Sequence, residues 1–259
     1  MTPEITIEPE AYNRQPSPDC FSLFGASRAS HVPPPPGVNL VTVNGLPIAN
    51  MTIDDAVLDI VHMALEPRPH QVCFVDSQGA ALAHTDVDYR NALLGADRIW
   101  ASGEGLRLAS GLFSPRLTED LTARHILEPL CAALRDYEIS LYLLGGKPGS
   151  ADCLRLAIES CFPGIPIVGA RSAYFPPQDE PGIIEDIAGS QADILLAGLG
   201  MPREDLWIAQ NLPDLGVRVA IGAGSLYDVS PFAEPDVERF CFADVLLMFH
   251  SCIWSLRGG

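Results

Sequence analysis

Basic charge is what this sequence has least of. Lysine and arginine together number 16 against 33 aspartates and glutamates, a formal net charge of −17. Such a chain is repelled by phosphate backbones and anionic bilayers, which excludes nucleic acid as a partner and argues against charge-driven membrane docking. A cysteine pair at CxxC spacing is also missing. The seven cysteines (Cys20, Cys73, Cys131, Cys153, Cys161, Cys241 and Cys252) are odd in number and scattered. Neither a zinc site nor a disulfide framework is indicated, and those inside apolar runs read as buried thiols of a reducing cytoplasm. His31, His62, His70, His84 and His250 lack metal-ligand spacing, so no metal and no cofactor is expected. The start, Met1-Thr2-Pro3-Glu4, has neither the basic residues nor the apolar run of a secretory signal. No apolar stretch is long enough to span a bilayer.

What is present suits a folded globular chain of one large domain or two small ones, with 47% hydrophobic residues to build a core. Residues 1–38 are rich in proline, serine and polar residues and run into Pro33-Pro34-Pro35-Pro36-Gly37, which reads as a disordered tail and stiff linker. From 39 to 232 strands and helices alternate. Leu40-Val41-Thr42-Val43 reads as a strand turned by Asn44-Gly45, a hairpin dipeptide. Thr52 caps a helix whose apolar face is Ile53, Ala56, Val57, Ile60, Val61 and Ala64. Further strands are expected at Val72–Val75, Arg98–Ala101, Ile139–Leu144, Ile165–Val168 (at an edge, given Pro166), Ile194–Ala197 and Val217–Ile221. Helices are expected through Ala83, at Tyr89–Leu94, Arg124–Leu134, Ala151–Glu159 and Ile183–Ile187. Residues 233–259 read as a short apolar appendage packing on the core or a partner.

The alternation implies an α/β fold, a mostly parallel sheet covered by helices on both faces. Its centre is Ala192 to Trp207: an apolar strand, the glycines Gly198 and Gly200, then Pro202 in the first turn of a helix with Glu204 and Asp205 at its positive end. Five strand ends carry small or polar turns: Asp76 to Gly79, Ser102 to Gly105, Gly145 to Gly149, Gly198 to Gly200 and Gly222 to Gly224. In a parallel sheet these share the edge where ligands bind. None matches GxxxxGK[ST] or GxGxxG, so ATP hydrolysis and hydride transfer lose ground.

The ordered motifs are Val43-Asn44-Gly45, Phe74-Val75, Ala96-Asp97-Arg98-Ile99 with Gly103 and Gly105, Leu143-Leu144-Gly145-Gly146-Lys147-Pro148, Gly198 through Trp207, and Gly222 through Asp228. In that order they resemble the WecB/TagA/CpsF family of bacterial glycosyltransferases. The resemblance implies a Rossmann-like three-layer sandwich. It also implies an inverting transfer of an N-acetylmannosamine-type sugar from a UDP donor to a polyprenyl-diphosphate-linked sugar, in cell-surface polysaccharide or exopolysaccharide assembly. The protein would be cytoplasmic, with peripheral contact at the inner membrane face or with polysaccharide-assembly proteins; a homo-oligomer is compatible with this. Asp76, Ser102, Glu104 and His125 are the implied catalytic positions. Gln78, Gly103, Gly145, Gly146, Lys147, Gly198, Gly200, Pro202, Glu204, Gly224 and Asp228 are the implied donor-binding positions.

Several of these depart from the family pattern. Ser102 stands where the family has an aspartate, and a serine hydroxyl is a poor base at neutral pH. Glu104 or Asp76 is left to take that role. His125 replaces an acid, and Glu204 replaces an amide, where a carboxylate would repel a diphosphate. The family's arginine-rich tail is absent after Tyr227-Asp228. Two rival readings therefore stay open: a non-catalytic relative acting as a binding or scaffold protein, and an enzyme of altered substrate and reaction.

Overall fold

The structure, a computed structural model, describes residues 32–33, 35–103, 105–106 and 117–227. Most of the expected tail, the expected appendage, Glu104 and Asp228 lie outside the described residues.

The described chain opens with a hairpin, β1 (Asn39–Val43) and β2 (Leu46–Asn50), turned by Asn44 and Gly45 with φ of 49° and 75°. Positive φ at both central residues is the primed turn that matches strand twist, which is why Asn-Gly marks it. Helix α1 (Ile53–Leu65) follows, with Thr52 Oγ1 accepting the Asp55 N–H at 3.1 Å as its cap. Next come β3 (His70–Val75), α2 (Ser77–Thr85), α3 (Val87–Gly95), β4 (Arg98–Ala101), α4 (Ala123–Asp136), β5 (Leu141–Gly145), α5 (Ser150–Cys161) and β6 (Ile167–Arg171). Helix α6 (Glu180–Ser190), β7 (Ile194–Gly198), α7 (Arg203–Asn211) and β8 (Val219–Gly222) complete the series, and a 3-10 turn at Gly224–Leu226 ends it.

β3 to β8 form one six-stranded sheet, parallel throughout, in the order β4-β3-β8-β7-β5-β6. Helices α1 and α4 pack on one face; α2, α3 and α7 pack together on the other, with α6 beside α7. This is the Rossmann-like three-layer arrangement. Strands β5, β7 and β8 are buried along their whole length, which explains their unbroken apolar runs.

Several boundaries move, β3, α6 and β8 among them, and three have a visible cause. β5 begins at Leu141 because the Ile139 N–H is taken by the Leu134 carbonyl of α4 and the Ser140 N–H by Asp193 Oδ2. β6 begins at Ile167, after the Ile165 N–H has turned back to the Phe162 carbonyl. Pro202 sits just before α7 rather than inside its first turn.

One polar residue joins the apolar face of α1. Asp59, 3% exposed, receives Nε and Nη2 of Arg98 at 2.6 and 3.0 Å. The pair ties α1 to the start of β4. Arg98→Ala leaves a buried carboxylate without that partner, and we expect a loss of about 3 kcal/mol in urea unfolding. A loss below about 1 kcal/mol would show that water reaches Asp59.

Candidate functional site

All six strands deliver their carboxyl ends to one edge, and above β5, β6, β7 and β8 lies a cleft of about 830 Å³. Among the described residues its charged lining residues are Lys147, from the turn after β5, and Arg203, at the start of α7, with no acid among them. Lys147 is the sole lysine of the chain. The Arg203 guanidinium lies 5.5 Å from the centroid of the Phe175 ring, a cation–π contact that holds it at the rim beside exposed Tyr174. The first turns of α5 and α7 both border the cleft, so two helix amino ends add partial positive charge to the same space.

The floor is Tyr227. Its buried hydroxyl donates to the Leu196 carbonyl at 3.0 Å, and its ring lies flat against two glycines. A Cβ on Gly198 would meet the ring at 2.0 Å and one on Gly145 at 2.3 Å. These two glycines make room for an aromatic ring, which corrects the expectation that Gly145 opens the backbone to a ligand. Gly146, with φ of 64°, is likewise closed by Ser150. Gly200 is different: its φ is 85° and among the described residues nothing lies within 4 Å of where a Cβ would stand, so these residues leave its backbone open to the cleft.

Glu204 does not face the cleft. Its side chain turns beneath the glycine turns, where Oε2 accepts the Gly200 N–H at 2.9 Å and Oε1 the Gly224 N–H at 3.3 Å. The expected repulsion of a diphosphate is thereby corrected: the carboxylate ties the turn after β7 to the turn after β8. Gly224 has no room for a Cβ because Glu204 Oε2 would lie 2.6 Å away. Burial, reinforced by Asp205 next door, pushes Glu204 up to about 7 despite those N–H donors. Asp205, 1% exposed, is pushed up by burial to about 6. Neither of its oxygens has a hydrogen-bond partner of ordinary geometry, although the Cys73 thiol and Tyr89 hydroxyl face it and moderate the rise.

At the other end of the edge, Asp76 caps α2, its Oδ1 accepting the Gly79 N–H at 2.7 Å. Ser77, Gln78 and Gly79 are therefore the first helical turn rather than a loop, with Gln78 exposed. Ser102 is half-buried beside β3, its N–H bonded to the Val75 carbonyl at 2.8 Å. The Gly103 N–H donates to Asp120 Oδ1, and His125 Nδ1 lies 2.9 Å from the Asp120 carbonyl oxygen. The structure thus separates the predicted residues into two groups. Lys147, Gly146, Gly198, Gly200 and Gly224 border the cleft, while Asp76, Ser102, Gly103 and His125 gather at β3 and β4. Sequence reasoning missed Arg203, Tyr227 and Asp120 as site residues. Arg203 carried a usable signal, a cation at a helix start after a glycine turn; Asp120 carried none. Among the described residues no cluster of histidine, cysteine, aspartate and glutamate could hold a metal ion.

The sequence matches known proteins. The profile of the Glycosyl transferase WecG/TagA/CpsF family covers residues 41–230. The chain belongs to this family. A curated relative from Bacillus subtilis, N-acetylglucosaminyldiphosphoundecaprenol N-acetyl-beta-D-mannosaminyltransferase, is 26% identical over 155 residues, 60% of each chain. A relative of the same description from Bacillus spizizenii is 25% identical over 142 residues, 54% of each. The chain thus spans about 60% or less of the length of these transferases.

The buried acids give the carboxyl edge of the sheet a pH signature. Both carboxyls titrate higher folded than unfolded. Their contribution to stability is therefore complete below the ordinary carboxylate range and is lost as pH rises toward about 7. Glu204→Gln should gain on the wild type by about 2–3 kcal/mol between pH 5 and pH 8 in urea unfolding. Parallel pH courses for the two proteins would contradict this assignment.

Proposed function

We propose that the protein is an inverting glycosyltransferase that holds the diphosphate of a UDP-sugar in the cleft above β5, β7 and β8. It passes an N-acetylmannosamine-type sugar to a polyprenyl-diphosphate-linked acceptor. The observation that carries this reading is the sign of the cleft: in a chain of net charge −17, the charged residues that line it, among the described residues, are Lys147 and Arg203. Two cations and two helix amino ends converging on one space suit the leaving diphosphate, whose charge grows as the glycosidic bond breaks. The open backbone at Gly200 lets the phosphates approach the α7 amino end.

The sugar and acceptor classes of this reading are supported by the relatives, N-acetyl-beta-D-mannosaminyltransferases named for a diphosphoundecaprenol-linked N-acetylglucosamine; the UDP donor is proposed from the anion-suited cleft. A lipid-linked acceptor brings the protein to a membrane surface from the outside, and no helix among the described residues is long and apolar enough to cross one. In a net acidic chain that contact cannot come from a general charge attraction to anionic lipid. It would come from the acceptor's own diphosphate.

Calorimetric titration with UDP tests the reading. Lys147→Ala and Arg203→Ala should each weaken UDP binding about tenfold, the loss of one charge-assisted contact. Binding in the wild type should also fall as salt is raised. Absence of UDP binding, or an affinity unmoved in the double variant, would overturn the assignment.

A further inference from the structure

The segment that leads from Leu117 into α4 is fixed at four points. The Thr118 N–H donates to Asn50 Oδ1 at 2.6 Å, and Glu119 Oε2 accepts the Ile53 N–H at 2.7 Å. The Leu121 N–H donates to the Ala101 carbonyl at 3.1 Å, and the Gly103 N–H to Asp120 Oδ1. The last two lay Asp120 against the carboxyl end of β4, next to Ser102. A carboxylate is therefore present in the corner whose own strand-end residue is a serine. It comes from 17 positions further along the chain. Gly103 has φ of 90°, and among the described residues nothing lies within 4 Å of a Cβ position there.

His125 completes the arrangement. Its Nδ1 lies 2.9 Å from the Asp120 carbonyl oxygen and 4.0 Å from Asp120 Oδ2. A carbonyl can only accept, so Nδ1 carries the proton of the neutral ring and Nε2 keeps its lone pair. The Thr122 Oγ1 cap on the His125 N–H, at 3.1 Å, fixes the residue in the first turn of α4. Its side chain is 52% exposed, so a proton taken up there can leave to water.

We infer that His125 and Asp120 supply the base of the transfer: His125 takes the acceptor's proton, and Asp120 positions the ring and balances the imidazolium. The inference rests on the UDP-sugar reading above. In the step, the acceptor hydroxyl gives its proton to Nε2 while its oxygen lone pair forms the bond to the anomeric carbon. The bond from that carbon to UDP breaks, and its electron pair leaves on the diphosphate, where Lys147 and Arg203 meet the charge. Strands β8 and β7 are two and three positions from β4, roughly 10 and 14 Å at ordinary spacing. The base thus stands at one end of the edge and the diphosphate over its middle, on different sides of the space where the anomeric carbon would lie, as attack from the face opposite the leaving group requires.

The test compares full-length wild type, His125→Ala and Asp120→Asn for kcat, KM and UDP affinity, with UDP-N-acetylmannosamine and a short-chain polyprenyl-diphosphate-linked N-acetylglucosamine. His125→Ala should lose on the order of 10²–10³ in kcat with UDP affinity unchanged, and added imidazole should recover part of the rate. Asp120→Asn, whose amide oxygen still accepts the Gly103 N–H, should lose about tenfold in kcat at constant KM. Full activity of His125→Ala overturns the inference, as does a loss of UDP affinity that tracks the loss of rate, the mark of a structural role. Rate lost in Asp76→Asn but kept in His125→Ala would assign the proton to Asp76 and also overturn it. A wild type that neither binds UDP nor turns over the donor ends the donor reading and this inference with it. A wild type that turns over alongside equally active variants ends the inference alone.

Discussion

The carboxyl edge of the sheet depends on one buried carboxylate. Glu204 accepts backbone N–H groups from Gly200 and Gly224, so the turns after β7 and β8 share a single anchor. Without it, both turns would present unpaired donors in a nearly dry interior, each costing about 1–3 kcal/mol. The same burial pushes Glu204 up to about 7, so the anchor changes charge near neutrality while the geometry of the cleft depends on it. An amide at that position accepts through one oxygen only; a carboxylate serves both turns at once.

Tyr227 works from above the same edge. Its ring needs Gly145 and Gly198 beneath it and its hydroxyl needs the Leu196 carbonyl, so two strands, β5 and β7, agree on one aromatic position. The cleft then has a packed floor, with its cations on long side chains at the rim. In a chain so acidic, the placement of the sole lysine there is a local reversal of the overall field. Such a reversal favours an anion at that spot over the acidic surface around it.

Much of the fold was legible because strands buried on both faces are written as unbroken apolar runs, as in Ile194 to Ala197 and Leu141 to Leu144. Asn44-Gly45 and Thr52 announced a turn and a cap through local chemistry alone. The strand order was not legible: nothing in Val219 to Gly222 says that this last strand lies between β3 and β7. The site was half legible for the same reason. Glycine turns and Lys147 are local signals, whereas the roles of Glu204, Tyr227 and Asp120 are set by partners from distant strands. Glu204 and Asp205 read on their own as first-turn helix acids, which they are. That they point into the protein rather than toward solvent follows from the packing of α7 on β8.

The most direct test of the account is whether sugar moves. Purified protein would be incubated with UDP-N-acetylmannosamine and a short-chain polyprenyl-diphosphate-linked N-acetylglucosamine, following UDP release and the anomeric configuration of the product. The account predicts one UDP released per sugar transferred, release that depends on the acceptor, and an inverted linkage. Tight UDP binding with no acceptor-dependent release would contradict it, leaving a nucleotide-binding relative that has kept the cleft and lost the transfer.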